Sequence, residues 1–524
     1  MKIQATRPLL GEYFRLHAKW RSAKPALIAD GKTLTWCQFN SRLNRVANMV
    51  HAAGLSRDDR AIVFMDNGAD MTEVLFGLVK AGVASAPLNL SVSDAAITVM
   101  IQDSGARAVF ASRTHVARLG KIIAYMGDDA PDILIAAGPD DGAASGSLLW
   151  SDFTALRDAQ SDCEPAALVQ PDDILNIIYS SGTTGQPKGI VHTQQSRLDW
   201  AYDLATALRY DGQSRMLATI GLYSNITWVG MLSVLLRGGC LVIAPRFDAK
   251  ACWQAIETHR ITHIAMVPIL YQRLVDHAAA QKVDTSHVRN LVSAGSPLRS
   301  ELREALFDIF PCGITELYGL TEGVITTLDP EDAQGRMASA GLPLPGSDLL
   351  ILDDQDQPCA PGRSGEIVMA SRFVMPGYLN RPNETKAARY IDANGQHWLR
   401  TGDIGQLDAD GYLYVVDRKK DMILSGGQNI YPQDIEAVLA RHADVSDVAV
   451  IGVPSRKWGE TPLALVTARN GVLDPNTLKD WTNAQLGRQQ RIADIKVVAE
   501  IPRNPNGKVL KRQLREDFKG LVYD

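Results

Sequence analysis

The sequence predicts an α/β protein: a large N-terminal domain of parallel-rich sheets covered by helices, a β subdomain, and a small α+β C-terminal domain. Three observations carry this. Strand and helix patterns alternate through roughly the first 325 residues, the rhythm of parallel sheets with crossover helices. Beyond that point the runs shorten and acquire Asp and Pro-Gly punctuation, as in "SDLLILDDQDQPCAPGRSGEIVMAS", which suits antiparallel strands joined by turns. The last stretch, from "YPQDIEAVLARH" through "SDVAVIGVP", "PLALVTA", "NTLKDWTNAQL" and "DIKVVAEIPR", makes a compact set of about 100 residues, the size of a small domain.

Within the first part, "TWCQFNSRLNRVANMVHAAGL" has helical spacing and stops at Gly54. "RAIVFM" follows as a strand, "TEVLFGLVKAGV" as a helix, "ASAPLNL" as a strand-like run, "DAAITVMIQDSG" as a helix and "ARAVFAS" as a strand. "GPDDGAASGS" at 138–147 reads as a surface loop. The rhythm resumes with "DILNIIY" (strand), "RLDWAYDLATAL" (helix), "CLVIAP" (strand), "DAKACWQAIETHR" (helix), then the strands "THIAMVP" and "RNLVSAG". "WVGMLSVLLRGGCLVIAP" is the most apolar stretch, but Arg237, Gly238 and Gly239 break it. It is therefore expected to be a buried helix, a turn and a strand rather than a membrane span. In "HWLRTGDIGQLDADGYLYVVDRKKDMIL", "DADG" reads as a hairpin turn and "DRKK" at 417–420 as the best linker.

Composition bounds the function. The chain has 524 residues, enough for two to four domains, with 46% hydrophobic and 22% charged residues as in ordinary globular proteins. A net charge of −5 offers no basic field, so no nucleic-acid partner is expected. Six cysteines without metal-ligand spacing point to reduced thiols, and the first twenty residues lack a signal-peptide apolar core. A cytoplasmic enzyme is the expectation.

Five motifs carry chemistry. "YSSGTTGQPKG" at 179–189 follows a buried strand. Gly182 and Gly185 let backbone N–H groups converge on an anion. Ser180, Ser181, Thr183 and Thr184 add hydroxyls, and Lys188 adds a mobile point charge. The Walker spacing is absent. In "ITELYGLTEG" at 314–323, Tyr318 offers a flat face for a heterocycle, Thr321 a hydroxyl and Glu322 a carboxylate suited to Mg²⁺. In "WLRTGDIG", Asp403 follows Gly402 at a strand end, where a carboxylate can accept ribose hydroxyls. "DRKKDMILSGGQNIYP" joins a charged segment to Gly426 and Gly427, and "PRNPNGKVLKRQLR" sets Lys508 on a Pro/Asn/Gly turn.

Together, in this order and spacing, the five motifs resemble those of the adenylate-forming superfamily, and in particular the acyl- and aryl-CoA synthetases related to 4-coumarate–CoA ligase, luciferase and nonribosomal adenylation domains. The resemblance spans essentially the whole chain. It implies an acyl-adenylate made from a carboxylic acid and MgATP with release of pyrophosphate, then a thioester with coenzyme A and release of AMP. It implies that Lys508 bridges the carboxylate and the α-phosphate, and that the loop 180–188 holds the β- and γ-phosphates. Glu322 with Ser180 or Thr183 would hold or orient Mg²⁺. Tyr318, with Gly319 beside it, would lie against adenine, with Gly295 and Ser296 on the same wall. Asp403 and Arg418 would bind ribose.

It further implies a small mobile C-terminal domain from residue 418 to 524, following an N-terminal domain of 1–417, hinged near Lys420. Rotation would withdraw Lys508 and bring "LSGGQN", with Gly426 and Gly427, to the site. Trp458 in "GVPSRKWGE" would stack on coenzyme A and Arg491 would meet its phosphate. Gln489, Gln490 and Ile492 depart from the aromatic, lysine and proline of many relatives. In "GLYSNITW" at 221–228, Ser224 stands where relatives often have His. The acid pocket is expected from Tyr223, Ser224, Asn225, Trp228, Ala294, Gly319 and Val324, mostly apolar. No Arg or Lys stands out to pair with a second carboxylate, Arg197 being the one not excluded. The expected acid is an aromatic, cyclic or branched, medium-sized monocarboxylate. The alternatives are acyl transfer to a carrier-protein phosphopantetheine and a non-catalytic nucleotide-binding relative, with a homodimer as an alternative to a monomer.

Overall fold

A computed structural model describes residues 8–139, 148–166, 169–180, 187–278, 283–425, 428–469, 471, 473–488, 490–503 and 509–523. The chain divides into two compact units. One comprises residues 1–334, 343–347 and 370–389; the other comprises 335–342, 348–369 and 390–524.

The first unit carries two large sheets. One runs in the order Ser151–Asp152, Ile133–Ala137, Ala108–Ser112, Arg60–Phe64, Ala84–Pro87, Ile174–Ser180, Lys188–Thr193. All its neighbours are parallel until the last strand, which returns antiparallel. The other runs from Val324–Leu328 through Thr315–Leu320, Asn290–Ala294, His263–Met266, Arg215–Ala218, Cys240–Ile243 and Pro25–Ala29 to Lys32–Thr35. It too is parallel in its middle and antiparallel at both of these ends. Parallel strands covered on both faces need unbroken apolar runs, and Ala61–Phe64 is buried throughout.

The largest core joins Ala61 and Val63 of one sheet to Leu27, Met216 and Leu241 of the other through the helices Leu10–Trp20, Trp36–Ala52, Ala69–Ala81, Gln194–Ala207 and Asn225–Leu236. Those helices are sandwiched, which explains why Ala69–Ala81 is buried nearly all round. Thr35 and Gln38 close a reciprocal cap at the start of Trp36–Ala52, and Gly82 ends Ala69–Ala81 with φ +74°. Separate cores cover the outer faces of the two sheets.

The second unit begins with antiparallel strands Asp348–Leu352, Gly365–Ala370, His397–Leu407 and Leu413–Arg418, in which Asp408 and Gly411 form the expected turn. It continues with a sheet ordered Gln428–Ile430, Ile423–Ser425, Gly459–Ala468, Val445–Ser455, with Asp494–Val497 parallel to Gly459–Ala468. Helices Pro432–Leu439, Pro475–Asn483 and Lys511–Asp517 pack on this sheet over two apolar clusters. The α/β class and the division into parallel-rich, β and α+β parts are as the sequence predicts. Among the described residues, no helix is long and apolar enough to cross a membrane.

The "DRKK" run is anchored by the carboxylates at its start and just beyond its end. Arg418 ends a strand, and Asp417 and Asp421 on either side are buried at 3% and 8% exposure. Asp417 accepts the N–H of Gln433 at 3.1 Å and that of Arg418 at 2.6 Å, while Asp421 pairs with Arg515 at 2.7 Å. Only Lys419 and Lys420 are exposed. A run of charges in a sequence does not show which of them turn inward.

Candidate active site

The phosphate-loop motif is the tip of a β-hairpin. Strand Ile174–Ser180 pairs antiparallel with Lys188–Thr193, and Ser180 faces Lys188 across the ladder. This is unlike a strand-to-helix phosphate loop, which uses a helix N-terminus. Here the ladder fixes both ends of the loop, and Ser180 and Lys188 enter from opposite sides. Ser181, Gly182, Thr183, Thr184 and Gly185 lie outside the described residues.

Lys188 is aimed by its neighbours. Its ammonium stands 5.4 Å from the ring centre of Tyr378. The segment carrying Tyr378 runs beside the hairpin: Leu379 donates to the carbonyl of Gly189 at 2.8 Å, and Val191 donates to that of Gly377 at 3.2 Å. The same segment reaches the second motif, where the N–H of Met375 donates to the carbonyl of Glu322 at 2.8 Å. The Tyr378 hydroxyl donates to Glu322 Oε1 at 2.9 Å. Burial, then the charge of Glu322, push the Tyr378 phenol well above its ordinary value, so it stays protonated and donates. Residues 375–379 thus strap the cation of one motif to the carboxylate of the other. The sequence reading missed Tyr378. Its local signal, an aromatic straight after Pro376-Gly377, is too common to single it out.

Glu322 sits in a three-residue turn between strands Thr315–Leu320 and Val324–Leu328. Gly323 closes the turn at φ +109°, and a Cβ there would stand 2.6 Å from the backbone of Phe373 and Val374. Only glycine allows that approach. Thr321 precedes Glu322 in the same turn, half-buried. Next door, Ala294 pairs with Leu317, so Gly295 and Ser296 emerge beside Tyr318 and Gly319. Glu316 fastens this corner: it accepts the N–H of Leu298 at 3.1 Å and pairs with buried Arg303. Gly319 has Val324 O at 2.4 Å from its would-be Cβ.

The acid-pocket residues are less open than the sequence suggests. Ser224 is buried at the start of helix Asn225–Leu236, Tyr223 and Asn225 are half-buried, and Ala294 and Val324 are buried. Trp228 is fully buried, its indole N–H donating to Leu222 O at 2.8 Å and its ring near Phe76.

In the second unit Asp403 and Arg418 face each other across antiparallel strands, with Arg418 Nε 3.1 Å from Asp403 Oδ1. Asp403 is 3% exposed and its N–H donates to Thr401 Oγ1 at 3.0 Å. Farther along, Ser425 pairs with Gly459, which brings the "LSGGQN" strand beside the turn that carries Trp458. That indole is 46% exposed, with the Lys457 ammonium 4.8 Å from its ring centre. Exposed Arg491 lies at the same end of the sheet, because the N–H of Ala493 donates to Pro462 O at 2.8 Å. Gly426, Gly427 and Lys508 lie outside the described residues.

A metal ion is implied by the motifs. No cluster of three or more His, Cys, Asp or Glu side chains suited to a metal occurs among the described residues. That fits Mg²⁺, which binds through one or two carboxylates together with substrate phosphates. Glu322 meets the requirement: Tyr378 holds one oxygen, and the other accepts no hydrogen bond among the described residues.

Comparison with known proteins bears on this geometry. Residues 14–379 match the model of the AMP-binding enzyme family, and residues 434–508 that of the AMP-binding enzyme C-terminal domain. The chain belongs to the AMP-binding enzyme family. As one of these adenylate-forming enzymes, it is 33% identical over 497 residues to the long-chain-fatty-acid–CoA ligase FadD13 of Mycobacterium tuberculosis, covering 93% of this chain and 94% of that one. It is 31% identical over 522 residues to the fatty acid–[acyl-carrier-protein] ligase ScoC of Streptomyces coeruleorubidus, covering 96% and 95%. The o-succinylbenzoate coenzyme A synthetase MenE from Bacillus subtilis, solved with ATP and magnesium ion, superposes with a TM-score of 0.83 at 27% identity, covering 96% of this chain and 99% of that one.

Proposed function

We propose that this AMP-binding enzyme is an ATP-dependent acid–CoA ligase. What chiefly supports the reading is the strap 375–379, which ties the phosphate-loop lysine to a carboxylate left open on one oxygen. Ser180, Lys188 and the loop between them hold the β- and γ-phosphates. Tyr318, Gly319, Thr321, Gly295 and Ser296 receive the adenine side, and Asp403 with Arg418 the ribose. Glu322 and Ser180 or Thr183 would hold Mg²⁺, which neutralises phosphate charge and polarises the oxygens it touches.

The chemistry needs no protein nucleophile. The acid's carboxylate oxygen attacks the α-phosphorus, a P–O bond forms, and pyrophosphate leaves with the electron pair of the broken bond. Two anions meet in this step, so fixed positive charge is required; Lys508 supplies it. A thiolate then attacks the acyl carbon and AMP departs. Trp458 and Arg491, at one end of the C-terminal sheet beside "LSGGQN", receive coenzyme A. The small domain starts at residue 418 and turns near Lys420 between the two steps.

The acid has an apolar body of medium size, aromatic, cyclic or branched, facing Tyr223, Ser224, Asn225, Ala294 and Val324. The likeness to a fatty acid–[acyl-carrier-protein] ligase favours one second reading, in which the acceptor thiol is a carrier-protein phosphopantetheine. Pyrophosphate release across a panel of acids, with thioester formation followed for coenzyme A and for a phosphopantetheinylated carrier protein, tests both. Pyrophosphate release that depends on no acid would sink both. Sedimentation of the purified chain decides between monomer and homodimer.

A further inference from the structure

Four lysines and arginines are buried among the described residues: Lys80, Arg157, Arg197 and Arg303. Three of them pair with carboxylates: Lys80 with Glu164 at 2.6 Å, Arg157 with Glu73 at 2.8 Å, and Arg303 with Glu316. Arg197 does not. It is 1% exposed on the first turn of helix Gln194–Ala207. Its guanidinium stands 4.7 Å from the ring centre of Trp200 and 5.4 Å from that of Trp228. Its Nε donates to Asn176 Oδ1 at 3.1 Å, while Nη2 has no acceptor among the described residues.

The surroundings share this deficit. Asn176 is the register partner of Ser85 on one neighbouring strand and of His192 on the other, so the three form a row across the sheet. Ser85 Oγ, Asn176 Nδ2 and His192 Nε2 are all buried without a hydrogen-bond partner among the described residues, as are both amide atoms of Gln194, one helical turn before Arg197. Burial, reinforced by the Arg197 charge, holds His192 neutral, with its pKa well below the ordinary value. Burial lowers the Arg197 pKa to about 9, which leaves it cationic at neutral pH.

A buried cation without a counter-ion is costly, and so is each buried polar atom left unmatched. Indole faces stabilise a guanidinium but accept none of its N–H bonds. A guanidinium N–H next to an amide donor and a hydroxyl suits one class of guest, an oxyanion that accepts from several donors at once. The cluster also adjoins the acid segment. Trp228, which forms one side of the sandwich, hydrogen-bonds Leu222 O, immediately before Tyr223 and Ser224.

We propose that Arg197, with Asn176 and His192, recognises a second anionic group at the far end of the acid, so that the substrate is a dicarboxylate or its sulfonate analogue with an apolar middle. This rests on the acid-ligase reading above and revises the single-carboxylate expectation. That expectation followed from seeing no cation in the pocket segments.

Matched acids test it: hexanoate against adipate, and benzoate against terephthalate, compared by kcat/KM for pyrophosphate release. The diacid of at least one pair should be preferred by about tenfold or more, as for sites built around a polar group. Arg197→Met, apolar and slender enough to lie between the indoles, should erase or invert that ratio. Arg197→Lys should keep part of it. If the native enzyme favours the monoacid in both pairs, and Arg197→Met raises Tm without changing the ratios, Arg197 is a structural cation and the proposal is overturned. Thermal shift separates the two readings should no acid release pyrophosphate. In that case the ligase reading fails, yet an upshift with adipate or terephthalate but not with its monoacid, lost in Arg197→Met, still supports the anion site. The absence of any such shift overturns it.

Discussion

Two carboxylates from the nucleotide motifs are held in opposite ways. Glu322 is half-buried on a glycine-closed turn, with one oxygen engaged by Tyr378 and the other accepting no hydrogen bond among the described residues. Asp403 is almost fully buried on a strand and faces a cation of its own, Arg418. The first arrangement suits a ligand that arrives and leaves with each turnover, because one carboxylate oxygen takes no partner from the described residues. The second suits repeated binding of an invariant group, because Arg418 keeps the carboxylate oriented in the intervals. The regions around them differ likewise. The end of the first unit is fixed by backbone ladders and the 375–379 strap. The 417–421 stretch of the second is fixed by buried carboxylates whose partners are single side chains or N–H groups. The first is held by continuous backbone pairing, and the second by few polar anchors, the arrangement that the proposed hinge requires.

The largest expected effect comes from Lys508, to which the proposed mechanism assigns the adenylation step only. Lys508→Ala should lower acid-dependent pyrophosphate release about a hundredfold or more, the scale of losing one fixed transition-state donor. Thioester formation from supplied acyl-adenylate should fall far less. Equal losses in both steps would remove the distinction between a step-specific lysine and a permanent cradle.

Lys420→Pro tests the hinge side. Lys420 is exposed, no described hydrogen bond uses its N–H, and Asp417 and Asp421 anchor the chain around it. Proline fixes φ near −65°, so the variant should fold and release pyrophosphate in one burst, while steady thioester production drops by about tenfold or more. Native steady-state turnover would put the hinge elsewhere.

Tyr378→Phe tests the cradle. It removes one hydrogen bond to a carboxylate, worth about 1.5–3 kcal/mol, and leaves the ring under Lys188. The Mg²⁺ concentration for half-maximal rate should rise about tenfold with Tm almost unchanged, and excess Mg²⁺ should restore kcat. A fall in kcat that Mg²⁺ does not rescue would show that the tyrosine positions something other than Glu322.

The smallest effect is one of stability. Burial pushes the Asp417 carboxyl up to about 6. The folded state therefore binds this proton more tightly than the unfolded chain, and the group's contribution to stability falls as pH rises from about 4 to about 6, then stays low. Asparagine does not titrate. The Tm of Asp417→Asn, relative to native, should climb by a few degrees across that window and level off above it. A difference that stays flat with pH would mean that Lys511 and the two N–H groups on Asp417 compensate its ionised form fully.

Much of the fold was legible because parallel strands covered on both faces write themselves as apolar runs between helices. The closing strands Lys188–Thr193 and Val324–Leu328 were not. "KGIVHT" and "VITTL" are short, and their pairing depends on partners across a turn rather than on their own periodicity. The nucleotide motifs were legible through their resemblance to a family. Tyr378 was hidden because its role depends on the strap lying between two motifs well over a hundred residues apart in sequence. Arg197 was legible only as a cation not excluded from the pocket. Among Gln194, Gln195, Ser196 and Asp199 it reads as the polar face of a surface helix, and only the second sheet turns that face inward.

The hairpin that carries the phosphate loop also sets a rule for changing its length. Asn176, Ile178 and Ser180 point to one side of strand Ile174–Ser180, and Ile177 and Tyr179 to the other. A single residue inserted between Asn176 and Ser180 would leave one of them correctly faced and reverse the other, so either the buried polar row or the loop root would be lost. A matched insertion of two residues in each strand would preserve both faces and only lengthen the arm by about 7 Å. Variation in this stretch should therefore come in pairs of residues or not at all.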